Sequence, residues 1–179
     1  MNRIAKRMEA MFDIKFNDEK NEFLEECRKV FDLHAYNHIE RGLAHGLSID
    51  EIKIYADPKN PNKFNAKQMW EILVGFYNNL TREQINLYAK PEFDAEEMSI
   101  IESAFSEKDL TIEQVKLFAK PEFNADQMWA IRKGLTKGLS INEVALYAKP
   151  NISAVIMNSI SRQLMNGMPI EEVKERYNL

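Results

Sequence analysis

A single cysteine, Cys27, stands in a chain of 179 residues. That excludes an internal disulfide and any multi-cysteine metal site, and a reducing, cytoplasmic address is expected. Glycine is scarce as well, with six residues in all, too few for phosphate-cradling loops or a β protein with many tight turns. No apolar run approaches the ~20 residues of a helical membrane span, and no apolar leader segment opens the chain. Positive charge is not in excess either. The formal net charge of −4 argues against nucleic acid as the main ligand, although one basic face can sit within an acidic average. What is present is 45% hydrophobic and 29% charged residues, the balance of a folded globular chain. The length fits one domain, at roughly 150 residues per domain.

The chain repeats itself. The segment 80–93, Leu-Thr-Arg-Glu-Gln-Ile-Asn-Leu-Tyr-Ala-Lys-Pro-Glu-Phe, returns at 110–123 as Leu-Thr-Ile-Glu-Gln-Val-Lys-Leu-Phe-Ala-Lys-Pro-Glu-Phe. Further copies start at Leu47 and Leu139, and a shortened one at Met168, so successive starts lie 33, 30, 29 and 29 residues apart. The longer first interval holds four extra residues, Lys59 to Asn62, in the loop that carries Pro58 and Pro61. Insertions confined to loops are what a stack of equivalent units tolerates.

Each unit predicts two helices. The first, helix A, opens at Ser48, Thr81, Thr111 and Ser140, with Glu51, Gln84, Gln114 and Glu143 three positions on. This is a capping box, in which the hydroxyl accepts from the N3 amide and the Glu or Gln accepts from the cap amide. Helix A is expected to stop before Pro58, Pro91, Pro121 and Pro150, because the residue preceding proline is pushed out of the helical region. Helix B opens at Asn65, Asp94 and Asn124, again with Gln68, Glu97 and Gln127 at N3, and should end at Gly46, Asn79, Asp109, Gly138 and Gly167. No alternating apolar run between turn signals suggests a strand.

The apolar columns define the core. Helix B carries Ala125, Met128, Ile131 and Leu135, and the equivalent sets Tyr36, Ile39, Leu43; Ala66, Met69, Ile72, Phe76; Ala95, Met98, Ile101, Phe105; and Ala154, Met157, Ile160, Leu164. Helix A adds Ile52, Ile85, Val115, Val144 and Val173, then Tyr55, Tyr88, Phe118 and Tyr147 one turn later. Steps of three and four residues make one buried stripe per helix, and Ile131→Ala should cost about 2–5 kcal/mol. A small residue sits mid-helix B at Gly42, Gly75, Ala104 and Gly134. Glycine costs about 1 kcal/mol of helix propensity there, so close helix approach is the expected reason for it. In the last copy Glu175 and Arg176 replace Leu146 and Tyr147, a polar cover for the end of a stack. Residues 1–30 precede the repeat, and the stripes Ile4, Met8, Met11, Phe12 and Phe23, Cys27, Val30, Phe31 predict two capping helices. A basic amphipathic membrane helix carrying Arg3, Lys6 and Arg7 is the rival for the first of them.

The string Ala-Lys-Pro-Glu-Phe-Asn-Ala-Asp-Gln-Met at 119–128, with Gly-Leu-Ser at 138–140, resembles a helical repeat found in proteins of gut anaerobic bacteria. Many of those proteins are carried by phages, plasmids or conjugative elements. The resemblance spans roughly residues 31–179 and brings no established activity and no catalytic residue. This chain departs from it in the early proline-rich insertion, at Ser106–Asp109, and at Asn151–Ser153.

Four sets of residues are candidates for function. His34, His38 and His45, with Cys27 before them, fall on one stripe if a single helix carries them. The i,i+4 pair His34/His38 is a weak metal candidate, but ligands on one stripe do not converge, and the aligned positions are Asp126, Ala130 and Lys137, which suggests a solvated face. The carboxylates recur at capping positions, and no Gly-x-Ser-x-Gly, phosphate loop or Cys/His pairing stands out; no enzyme and no cofactor is expected. Lys90, Lys120 and Lys149 form a column one unit apart, as a nucleic-acid-tracking repeat would need, yet Glu92 and Glu122 stand beside it and helix-dipole pairing accounts for it equally well. Trp70 and Trp129 share a helix-B position that is Asn37, Ser99 and Asn158 elsewhere. Such a position is not expected to be core; exposed tryptophan anchors interfaces, and edge packing against a neighbouring helix is the alternative.

Together these features predict an all-α fold, a short αα-solenoid of about ten helices with capping helices over 1–30 and repeats over 31–179 in one compact domain. By analogy with other helix-pair repeats it would be right-handed. The function expected is a protein-binding module, contacting its partner through Trp70, Trp129, Tyr55, Tyr88, Tyr147, Lys90, Lys120 and Lys149. The resemblance implies a mobile-element protein that binds or inhibits a host defence protein. A nucleic-acid binder is the alternative, and a metal-dependent enzyme ranks below both.

Overall fold

The computed structural model describes residues 16–106 and 110–179, and over these the chain contains eleven helices and no strand. The stripe Ile4, Met8, Met11 and Phe12, the cations Arg3, Lys6 and Arg7, and the expected helix end at Asp109 lie outside the described residues. The chain divides into two compact units with the boundary between Leu73 and Val74.

In the first unit, α1 (Asp18–Val30) is capped by Asn17, whose side chain accepts from the Lys20 amide. It packs on α2 (Leu33–His45), and α2 packs on α3 (Ile49–Tyr55). Phe23, Leu24 and Cys27 of α1 are buried, but Val30 is exposed. The expected second cap stripe therefore stops one turn early, because α1 ends at Phe31 in an extended conformation. That break also separates Cys27 from the histidines, which ride on α2. α4 (Ala66–Tyr77) begins in this unit, after Asn65 has exchanged hydrogen bonds with Gln68.

The second unit alternates short and long helices: α5 (Arg82–Tyr88), α6 (Ala95–Ser106), α7 (Ile112–Val115), α8 (Ala125–Thr136), α9 (Ile141–Ala145), α10 (Ala154–Met165) and α11 (Ile170–Tyr177). The long helices form a series in which α6 packs on α8 and α8 on α10. The short helices α7, α9 and α11 each pack on the long helix before them. All four capping boxes of helix A form, from Ser48, Thr81, Thr111 and Ser140. Helix B closes in the left-handed region at Gly46 (φ 104°) and Asn79 (φ 57°).

Helix A stops before its proline as expected, and by more than one residue, ending at Tyr55, Tyr88, Val115 and Ala145. The reason is a recurring turn: the Lys90, Lys120 and Lys149 amides each donate to the carbonyl two residues back, at 2.7 Å. The lysine carbonyls then accept from Phe93, Phe123 and Ile152 at 3.2, 3.1 and 2.9 Å. Lys-Pro-Glu-Phe is thus a β-turn with proline at its second position, where its fixed φ fits. It delivers Phe93 and Phe123 to the core, where both are buried, as is Phe64 in the first unit. One expectation needs correction: Ala66, Ala95, Ala125 and Ala154, which open the helix-B stripe, are only half-buried.

The mid-helix glycines answer to a specific neighbour. A Cβ on Gly42, Gly75 or Gly134 would collide with the hydroxyl of Tyr55, Tyr88 or Tyr147 respectively. Where the column has Ala104 instead, the residue at the tyrosine's place in the repeat is Phe118, which has no hydroxyl, and both are buried. One methyl in and one oxygen out is the exchange that a core packed to near-crystal density would tolerate. In the final unit both partners become polar: Arg176 Nη1 donates to Gln163 Oε1 at 3.2 Å, and Gln163 Nε2 donates to Tyr177 Oη at 2.7 Å.

Candidate interaction surface

The tryptophan column splits. Trp70 is half-buried, its ring tilted 41° against His38 with centroids 5.3 Å apart, and the Arg41 guanidinium lies 6.0 Å from its centre. Trp129 is 49% exposed. Three residues on, Arg132 leaves only 2% of its surface to water although it carries a charge. Burying an isolated charge is costly unless hydrogen bonds replace its water. Arg132 has them: its guanidinium donates to the Ser103 hydroxyl at 2.8 Å, the Ser103 carbonyl at 3.2 Å and the Ile100 carbonyl at 3.3 Å. The same guanidinium lies 4.7 Å from the centre of the Trp129 ring, within the range of a cation–π contact. A cation anchored on α6 thus carries an exposed indole on α8.

Next to Trp129 an open depression of about 600 Å³ runs along α10, lined by Lys133, Val155, Asn158, Ser159, Arg162 and Met165. A smaller one, lined by Trp129, Arg132 and Thr136, shares Lys133 and Asn158 with it. Val155 is 76% exposed and Met165 39%. Three exposed apolar side chains across the two adjoining hollows, Trp129 in one and Val155 and Met165 in the other, exceed the single scattered hydrophobes usual on a protein surface.

No family model, curated protein or solved structure matches this chain.

The other candidates fall elsewhere. Tyr55, Tyr88 and Tyr147 are fully buried and serve the glycine contacts, so their rings are not available to a partner. Burial pushes the Tyr147 phenol up to about 12, with Ser161 acting against it and the Glu143 charge adding to it; the Tyr147 and Ser161 hydroxyls lie in the core without a well-formed hydrogen bond. Lys120 is exposed, whereas Lys90 and Lys149 are half-buried, and Lys90 Nζ sits 5.8 Å from the Phe93 ring of its own turn. His34 and His45 are exposed. His38 is half-buried and Ala130, its equivalent on α8, is buried, so the face expected to be solvated runs along the core edge. Burial, then Arg41 and His34, hold the His38 imidazole below its ordinary pKa. Among the described residues no cluster of three or more His, Cys, Asp or Glu could hold a metal ion. Burial pushes the Cys27 thiol up to about 12, with the Glu26 and Asp57 charges adding to the effect, which leaves it the reverse of a reactive nucleophile.

Arg132 was not singled out by its sequence, because arginine mid-helix ordinarily faces water. One signal was available: its column reads Glu40, Leu73, Glu102, Arg132 and Ser161, an irregular set within a regular repeat. Glu102 is buried too and accepts from Asn78 Nδ2 at 2.8 Å.

Proposed function

We propose that this chain is a non-catalytic protein-binding module whose helix pairs stack as a short solenoid and whose binding surface is centred on Trp129. The observation that carries the reading is the Trp129–Arg132 pair. A large amphipathic ring is held at the surface by a buried, hydrogen-bonded cation, so little conformational entropy is left to lose on binding. The serial packing of α6, α8 and α10 supports the stack. The resemblance to repeat proteins of mobile elements supports a host protein, such as a defence component, as the partner that is bound or blocked.

Trp129→Ala tests this. Half the ring is already in water, so helicity and melting temperature should stay near those of the parent, while capture of the partner from a lysate of the native cell should drop at least about tenfold, as for an interface hot spot. A variant that unfolds would make the ring structural. Unchanged capture would move the surface elsewhere.

A further inference from the structure

The hollow beside Trp129 also has a charge pattern that selects a partner's chemistry, an extension that rests on the protein-binding reading above. The whole chain is acidic, at −4, yet α10 contains no carboxylate and α8 contains one, Asp126, in its first turn. Lys133 and Arg162 are exposed at the hollow's edge. Among the described residues neither forms an ion pair, whereas Arg28, Lys174 and Arg176 pair with Glu25, Glu171 and Glu172. Two unneutralised cations thus flank the apolar side chains of Trp129, Val155 and Met165.

We infer that the α8–α10 hollow takes an acidic segment of a partner protein, seating an aliphatic or aromatic side chain against Trp129 and Val155 while flanking carboxylates meet Lys133 and Arg162. Charge complementarity of this kind sets specificity and association rate more than total affinity. The aliphatic Val155 and Met165 favour a peptide side chain over a nucleobase, which stacks on aromatic or guanidinium faces.

The probe is a displayed random dodecapeptide library selected on the intact chain, followed by calorimetric titration of the leading peptide. Enriched peptides should carry net negative charge around an apolar residue. Lys133→Glu with Arg162→Glu, both at exposed positions, should leave the circular dichroism unchanged, weaken the leading peptide at least about tenfold, and favour a version with its acids changed to lysine. Peptides lost on Trp129→Ala but showing no acidic bias, or insensitive to the charge reversal, would overturn this inference and leave the Trp129 surface standing. No enrichment, or peptides indifferent to Trp129→Ala, would overturn both. Displacement of the leading peptide by single-stranded oligouridine would assign the hollow to nucleic acid. Self-association in sedimentation velocity that is abolished by the charge reversal would assign it to a second copy of the chain. Either result refutes the inference.

Discussion

Replacing Gly134 with alanine should destabilise the second unit although alanine is the better helix former. The new Cβ would collide with the Tyr147 hydroxyl and lie 3.3 Å from both Leu139 Cδ1 and Ser161 Oγ. The ring of Tyr147 is fully buried and rigid, so it cannot swing aside as a long aliphatic chain would. Overpacking costs about 1–3 kcal/mol, and a rigid aromatic belongs at the upper end. The gain in helix propensity is about 1 kcal/mol, which leaves a net loss of roughly 1–2 kcal/mol. For a chain of this size that is about 2–8 °C in melting temperature. Tyr147→Phe alone should be nearly neutral, because the hydroxyl it deletes has no well-formed hydrogen bond. The double variant recreates the Ala104/Phe118 pair and should match or exceed the parent. Urea unfolding followed by circular dichroism for all four proteins measures the coupling, expected at about 1–3 kcal/mol in favour of the double variant. If Gly134→Ala is as stable as the parent and the coupling is near zero, the hydroxyl is not why the glycine is there.

Three further outcomes are expected. Arg132→Ala should cost about 2–4 kcal/mol, since it strips one buried and two part-buried oxygens of their donor, and should change Trp129 fluorescence as the ring loses its support; an unaltered spectrum would contradict the stacking. Trp70→Ala should cost about 1–2 kcal/mol against less than about 0.5 for Trp129→Ala, because only Trp70 leans on a neighbouring ring; equal effects in thermal melts would refute the distinction. Cys27 and Tyr147 both have folded pKa values pushed up to about 12. The unfolded chain therefore loses these protons first, and stability should be intact below about pH 8.5 and fall as pH rises toward 12. Unfolding curves that stay level across that window would count against the burial of both groups, as would rapid reaction of native Cys27 with a thiol reagent at neutral pH.

Much of the architecture could be read in advance because it rests on local chemistry written several times. The Ser48, Thr81, Thr111 and Ser140 boxes need only a hydroxyl and a Glu or Gln three residues later, and all four form. The core valines and isoleucines of helix A follow from periodicity alone, and Ile52, Ile85, Val115, Val144 and Val173 are all inaccessible to water. What escaped notice depends on neighbours distant in sequence. Phe93 and Phe123 follow a proline in a polar turn, and only the folded turn shows that they point inward. Periodicity puts Tyr55, Tyr88 and Tyr147 in the core column while their residue type suggests a surface role, and the glycines that meet their hydroxyls decide for burial. At the candidate site Trp129 stood out by its variable column, but its support did not, since Arg132 finds its partners on α6 rather than on its own helix. The separate surroundings of Trp70 and Trp129 likewise depend on His38 and Arg132, which no periodicity relates.

Hydrogen exchange of the chain with and without its captured partner bears most directly on the proposed surface. Binding over Trp129 should slow exchange in α8 (Ala125–Thr136) and α10 (Ala154–Met165) and leave α1 (Asp18–Val30) unchanged. Protection confined to α1–α3, or none anywhere, would contradict it.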